Sequence, residues 1–246
     1  MHGPAAVTVL INTGVAGSRN AVDQVYCIRC LSWPSQAADW STRHRNYGWP
    51  DSATVGRTVS SGCDLVRVAH RQCRQREWMD KHQWRLSFSR AEIILLNSWL
   101  SVQQIVYHML RVFLKTEQLT EIRLTVDAGA KILTNYNLKT LMLWACELKP
   151  RSWWTGDNVV KKCVELLHIL AVWLTDARCK HYFINNCNLL DHIDNSNSTC
   201  IQLIVKKLAL IRETWLAEWF IHNYIQDCAQ FCPASVSQIT RVRVQT

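Results

Sequence analysis

The first third of the chain carries short strand patterns, and most of the remainder follows a helical spacing. Ala5 to Ile11 is rich in β-branched residues, and Val22 to Ile28 is a second strand pattern. Together they predict a hairpin with Asp23 near the start of its second strand. Residues 84–88 alternate between apolar and polar side chains, which is the period of a half-buried strand.

A change to helical periodicity follows directly after residue 88. Ser89 stands three residues before Glu92 and an apolar run comes next, which predicts a capping box at the start of a helix. The apolar spacing predicts helices over 90–99, 102–115, 137–148, 158–174 and 199–224. We therefore predict an α+β protein with strands in residues 1–88, a helical bundle in 89–232 and an irregular tail in 233–246.

Charge and composition indicate the class of partner rather than the fold. The chain has 246 residues, is 48% hydrophobic and carries a formal net charge of +9. A basic excess favours partners that bear phosphate. The densest basic segment includes Arg71, Arg74 and Arg76, and it fits either a solvated surface or a nucleic-acid contact.

Cysteine usage predicts reduced thiols in a cytoplasmic or nuclear protein. The eleven cysteines are odd in number, and no secretory signal precedes them. Cys27 and Cys30 have the spacing of a zinc-binding pair, but no second pair stands near them, so we expect no zinc. No apolar run reaches the length of a membrane span, so no membrane partner is predicted.

Three separated motifs resemble the male-abnormal-21-like family, whose relatives include cyclic GMP–AMP synthase and the cGAS-like receptors. The motifs are Trp84 to Ser89, Asn135 to Thr140 and Trp144 to Glu147, in that order along the chain. The resemblance implies a partial nucleotidyltransferase-like sheet. It also implies a following bundle similar to helix-hairpin-helix or helix–two-turn–helix modules.

The resemblance also implies a site. Asp23 matches a catalytic carboxylate that holds Mg²⁺ or Mn²⁺ against nucleotide phosphates. Arg85, Ser87 and Ser89 match residues that recognise a base or ribose, and Tyr136 matches an aromatic that stacks on a base. Without the resemblance, the residues favour a core tyrosine whose hydroxyl is hydrogen-bonded; with it, the core tyrosine and the stacking residue are equal alternatives. The implied substrates are ATP and GTP, the implied product is a cyclic dinucleotide, and the implied activator is double-stranded RNA or DNA.

The chain departs from the family pattern in its carboxylates. Two-metal phosphoryl transfer needs clustered acids, and the resemblance implies an acid-x-acid strand before Asp23. None of the nineteen acidic residues are spaced i, i+2. Two of the three metal carboxylates are therefore missing, and we expect an inactive, N-terminally truncated fragment of a longer protein. The alternative is a non-catalytic interaction module that works through its helical bundle.

Overall fold

The computed structural model describes the backbone of residues 6–12, 19–67, 83–123, 131–193 and 198–225. Side chains are described in 25–67, 83–123, 131–193 and 199–223. The chain divides into two compact units: Met1–His44 with Pro50–Ser98, and Arg45–Trp49 with Trp99–Thr246. The fold is α+β, as predicted.

The described strands all belong to the first unit. They are β1 (Ala6–Asn12), β2 (Arg19–Val25), β3 (Cys27–Cys30), β4 (Cys63–Arg67) and β5 (Trp84–Ser87). β1 and β2 form an antiparallel hairpin, which confirms the predicted pairing. β3, β4 and β5 form a separate antiparallel sheet in that order, which leaves β5 at one edge.

The predicted single strand from Val22 to Ile28 is wrong, because the chain changes partner at Tyr26. Val25 pairs with Ala6 in the hairpin, whereas Cys27 begins the pairing of β3 with β4. Asp23 lies opposite Thr8 toward the end of β2, rather than near the start of the strand.

Eight α-helices occur in the described part of the chain. The first unit has α1 (Ala38–Thr42), α2 (Ser52–Ser60) and α3 (Ser89–Asn97). The second has α4 (Ser101–Thr116), α5 (Asn135–Leu148), α6 (Val159–Thr175), α7 (Ser198–Ala209) and α8 (Glu213–Phe220). Short 3₁₀ turns cover Ser35–Ala37 and Arg151–Trp153, and a π turn, Ile221–Ile225, follows α8. None of the described helices is both long enough and apolar enough for a membrane span.

The predicted capping box at Ser89 is wrong, because α3 begins one residue too early for it. Phe88 occupies the N-cap position without a side-chain cap, and its carbonyl accepts the Glu92 amide at 2.8 Å. Phe88 is 2% exposed and its ring lies 5.3 Å from that of Trp33, centroid to centroid. Burial of this side chain fixes the turn from strand to helix, so Ser89 becomes the first helical residue. α3 stands with the first unit, whose contacts extend past residue 88 to Ser98.

The second unit is built around three long helices with a shared apolar core. Its fully buried side chains include Val106, Leu110, Phe113, Leu138, Leu141, Met142, Leu166, Leu167 and Leu170. They recur at the i, i+3, i+4 spacing that predicted α4, α5 and α6. Complete burial of a leucine or phenylalanine side chain contributes about 1.5–3 kcal/mol, so this core stabilises the helical unit.

The predicted helix from 199 to 224 is interrupted between α7 and α8. Arg212 has extended backbone angles, φ −111° and ψ 155°, at the N-cap of α8. The Ile211 carbonyl oxygen lies 3.1 Å from Nε2 of His168 on α6, so its hydrogen-bond partner is a side chain of another helix. Apolar periodicity alone did not reveal this break, because Leu208 and Leu216, on either side of it, are both buried.

Candidate functional site

Three of the predicted nucleotide-binding residues lie at the edge of the first unit's sheet. Arg85 and Ser87 are on β5, opposite Val66 and Asp64 of β4. Residues two apart on a strand share a face, so Arg85 and Ser87 lie on the same side of the sheet. Arg85 and Ser89 are exposed, and Ser87 is half-buried. The structure therefore leaves this short polar segment accessible to a ligand.

Asp64 is the buried carboxylate beside this segment, and the sequence analysis missed it. It is 5% exposed and lies directly opposite Ser87. Its Oδ2 is 3.2 Å from Nε of Arg90, and its Oδ1 is 3.6 Å from Nη1 of Arg29. A carboxylate paired with two guanidinium groups holds α3 and β3 against β4. An isolated acid inside the apolar strand Cys63–Arg67 was the available signal.

The remaining first-unit predictions are placed only in part. Asp23 lies on β2 with its backbone opposite Thr8, and its side chain is outside the described side chains. Arg71, Arg74 and Arg76 lie outside the described residues, so the basic patch stays a prediction. Among the described residues, no three His, Cys, Asp or Glu side chains form a group that could hold a metal ion. The described side chains thus supply no set of ligands for Mg²⁺ or Mn²⁺.

In the second unit, Tyr136 lies in the first turn of α5. Thr134 caps this helix: its amide donates to Oδ1 of Asn137 at 2.9 Å, and its Oγ1 accepts the Asn137 amide at 3.3 Å. This reciprocal pair satisfies amides that a helix start otherwise leaves unbonded. The cap fixes where α5 begins, and with it the position of the Tyr136 side chain.

His181 forms a hydrogen bond with the hydroxyl group of Tyr136. Nε2 of His181 is 3.0 Å from the Tyr136 hydroxyl oxygen. Nδ1 accepts the amides of Phe183 at 3.1 Å and Ile184 at 3.0 Å, so it carries no proton. The proton of the neutral ring is therefore on Nε2, which donates to Tyr136. Burial lowers the pKa of His181 to about 4, so the ring is neutral near pH 7.

Lys139 adds positive charge beside the same aromatic ring. Its Nζ lies 6.0 Å from the Tyr136 ring centroid, at the limit of a cation–π contact. Tyr136 is half-buried, and one turn of helix separates it from Lys139. An aromatic ring with an ammonium group near it suits a ligand that combines a planar base with phosphate.

Trp144 and Glu147 of the third family motif bind the backbone and side chains next to His181. Trp144 Nε1 donates to the Lys180 carbonyl at 3.0 Å, and the Tyr182 hydroxyl donates to Oε2 of Glu147 at 2.7 Å. Nε of Arg45 lies 3.7 Å from the same Glu147 oxygen, which is buried. These contacts fasten residues 180–182 to α5 on both sides of His181.

His181 is thus a candidate site residue that the sequence did not single out. Four of the five side chains in the segment 179–183 are buried. A histidine directly before the aromatic residues Tyr182 and Phe183 was the only signal in the sequence. Its pairing with Tyr136, 45 positions away, could not be read from spacing.

Two family models match the chain in the order of its two units. Residues 3–98 match the Mab-21 protein nucleotidyltransferase domain, and residues 102–209 match the Mab-21 protein HhH/H2TH-like domain. Together these models cover most of the chain.

Curated relatives agree with the models. Protein male abnormal 21 of Caenorhabditis elegans is 27% identical over 176 residues, which are 68% of this chain and 45% of that protein. Protein mab-21-like 3 of Danio rerio is 28% identical over 182 residues, 72% of this chain and 40% of that protein. Protein mab-21-like of Aedes aegypti is 30% identical over 159 residues, 64% of this chain and 40% of that protein.

The matched stretch spans less than half the length of each of these relatives. The residues that the two family models match include strands of the sheet and helices of the bundle in the predicted order. The chain belongs to the Mab-21 family, with a nucleotidyltransferase-like domain followed by a helix-hairpin-helix-like domain.

Proposed function

We propose that this chain binds a nucleoside triphosphate as part of a nucleotidyltransferase that makes a cyclic dinucleotide. The observation that carries the proposal is Tyr136, half-buried at the capped start of α5 and hydrogen-bonded through its hydroxyl to His181. The ring would stack on the base of ATP or GTP. Stacking of a base on an aromatic side chain is worth about 1–3 kcal/mol.

Within the first unit, Arg85, Ser87 and Ser89 would recognise a base or ribose. A guanidinium group offers a planar fork of donors, and hydroxyl groups both donate and accept hydrogen bonds. Arg85 and Ser87 share one face of β5, and Ser89 follows at the start of α3. The match of residues 3–98 to a nucleotidyltransferase domain supports this assignment.

Metal ions and a nucleic-acid activator complete the proposal for the whole protein. Asp23 would bind Mg²⁺ or Mn²⁺ together with further carboxylates, since two divalent ions need several oxygen ligands. Arg71, Arg74 and Arg76 would contact the backbone of double-stranded RNA or DNA. The net charge of +9 favours such a partner.

The test is the affinity of the purified chain for ATP and GTP, measured by titration calorimetry. Replacing Tyr136 by Ala should weaken binding about 5- to 150-fold, which is the loss of one base stack. Tyr136→Phe keeps the ring and should retain most of the affinity. Tyr47→Ala is the control, because Tyr47 is an exposed tyrosine, at 49%, to which the proposal gives no role. Unchanged affinity in Tyr136→Ala would reject the proposed role.

A second candidate function, a non-catalytic interaction module, is favoured by one surface of the helical unit. Leu203 and Leu210 of the α7 region are 63% and 67% exposed. They border a cavity of about 400 Å³ that Ile122 also lines. If an apolar segment of a partner protein fills this cavity, the double variant Leu203→Ser, Leu210→Ser should lose the partner. Tyr136→Ala should then keep it.

A further inference from the structure

We propose that Cys30 and Cys63 are a modification site: a thiol pair that hydroperoxides oxidise to a disulfide. The two cysteines are direct partners in the antiparallel register of β3 and β4. Directly opposed residues of an antiparallel pair have their side chains on the same face and their Cα atoms about 4.5–5.5 Å apart. A disulfide needs Cα atoms about 4.4–6.8 Å apart, so the register brings the two thiols within reach of each other.

The backbone around the pair is held by contacts that do not involve sulfur. Nη1 of Arg29 donates to the Cys30 carbonyl at 3.2 Å and to the Cys63 carbonyl at 3.1 Å. Gly62 has φ +62°, and a side chain there would collide with the Cys30 carbonyl. These contacts keep β3 and β4 close together at this end of the sheet. They therefore also keep Cys30 and Cys63 close to each other.

Other described cysteines lack this opposition. Cys27, on the same strand as Cys30, faces Val66. Cys179 and Cys187 flank a bridge that pairs Lys180 with Asn188, so they are not directly opposite each other. Cys146 and Cys163 are buried within α5 and α6. Of the cysteines that the structure describes, Cys30 and Cys63 are the pair set by strand register.

The two thiols differ in exposure, which determines which of them reacts first with an oxidant. Cys63 is 2% exposed, whereas Cys30 is half-buried and therefore more accessible to a small oxidant. Burial raises the pKa of the Cys63 thiol, and the neighbouring Cys30 raises it further. Because the thiolate is the reactive form, Cys63 is the slower of the two to meet an oxidant directly.

The reaction balances with one molecule of hydroperoxide. The Cys30 sulfur attacks one oxygen of hydrogen peroxide and becomes a sulfenic acid. The O–O bond breaks, and the other oxygen leaves as water. The Cys63 sulfur then attacks the sulfenic sulfur, the S–S bond forms and a second water leaves. Two thiols lose two electrons and two protons in total, and a thiol reductant reverses the change.

The test is peptide mapping of the folded chain after treatment with hydrogen peroxide. Remaining thiols are alkylated before tryptic digestion, which gives peptides 30–43 and 58–67 with one cysteine each. We expect these two peptides joined, about 2 Da lighter than their sum, and separated again by a reductant. The oxidised chain should also melt roughly 5 °C or more above the reduced chain, because the cross-link closes a loop.

Cys27→Ser is the matched control, since it removes the neighbouring thiol on β3 and should leave the joined peptides unchanged. Cys30→Ser should abolish them and the peroxide-dependent rise in melting temperature. The wild-type map decides the matter even if a variant fails to fold. Recovery of peptide 30–43 only as sulfinic acid, or joined to any cysteine other than Cys63, would overturn the proposal.

Discussion

At the residue scale, His181 is a buried side chain whose ionisation affects the stability of the helical unit. Its ring is 8% exposed, and burial lowers its pKa from 6.5 to about 4. Below pH 6.5 the unfolded chain takes up a proton at this ring, whereas the folded chain stays neutral until about pH 4. The contribution of His181 to stability is therefore complete above pH 6.5 and is lost as the pH falls toward 4.

We expect the free energy of unfolding to fall by roughly 2 kcal/mol between pH 7 and pH 5 because of His181 alone. Urea unfolding at several pH values measures this slope. His181→Gln lacks the titrating ring, so its slope should be nearly flat over the same range. An equal slope in His181→Gln would assign the pH dependence to other groups.

Glu147 should be the most sensitive carboxylate of the helical unit. It is 3% exposed, accepts the Tyr182 hydroxyl and pairs with Arg45. Glu147→Gln leaves Arg45 without its counter-charge and should cost about 3–5 kcal/mol in urea unfolding. Glu165→Gln is the matched control, since Glu165 pairs with Lys149 at 3.8 Å on the surface and should cost less than about 1 kcal/mol. Equal losses in the two variants would contradict the structural role of Glu147.

At the scale of elements, the start of α5 sets the position of Tyr136. Thr134→Ala removes the side-chain oxygen that accepts the Asn137 amide and should cost about 1 kcal/mol of stability. The same variant should weaken ATP binding, because the first turn of α5 frays. Thr175→Ala, at the end of α6, is the control: it removes a hydroxyl that bonds only within its own helix. Equal ATP affinity in the two variants would contradict the claim that the Thr134 cap positions Tyr136.

The helices and strands also show which structural features the local sequence pattern could predict. The helices from α4 to α6 were predicted within one or two residues, because the core that they share sets their apolar period. Residues 84–87 form β5, within the predicted strand. The break at Tyr26 and the interruption at Ile211 were missed, since each depends on a partner distant in sequence. The Ser89 box failed for a related reason: burial of Phe88 moved the helix start.

The candidate site was predictable only where the family motifs carried it. Arg85, Ser87 and Tyr136 follow from two short motifs, and the structure leaves all three residues at least partly accessible. His181 and Asp64 depend on contacts across 45 and 26 positions, to Tyr136 and Arg90. Spacing along a chain carries no information on such pairs, so the sequence could not supply them.

At the scale of the whole molecule, the carboxylates limit what this chain can do alone. No two of the nineteen acidic residues are spaced i, i+2. We therefore expect no cyclic dinucleotide when the purified chain is incubated with ATP, GTP, Mg²⁺ or Mn²⁺ and double-stranded RNA or DNA. Chromatography of the nucleotide products checks this. Product that disappears in Asp23→Asn would show that the chain holds a complete metal site.

Nucleotide binding at Tyr136 is the central claim, and photolabelling tests it most directly. The probe is an ATP analogue with an azide on the adenine, cross-linked to the chain and mapped after tryptic digestion. The account predicts label on peptide 132–139, which contains Tyr136, and its loss with excess ATP. Peptide 46–57 carries the exposed Tyr47 and should stay unlabelled. ATP-sensitive label found only outside peptide 132–139 would contradict the account.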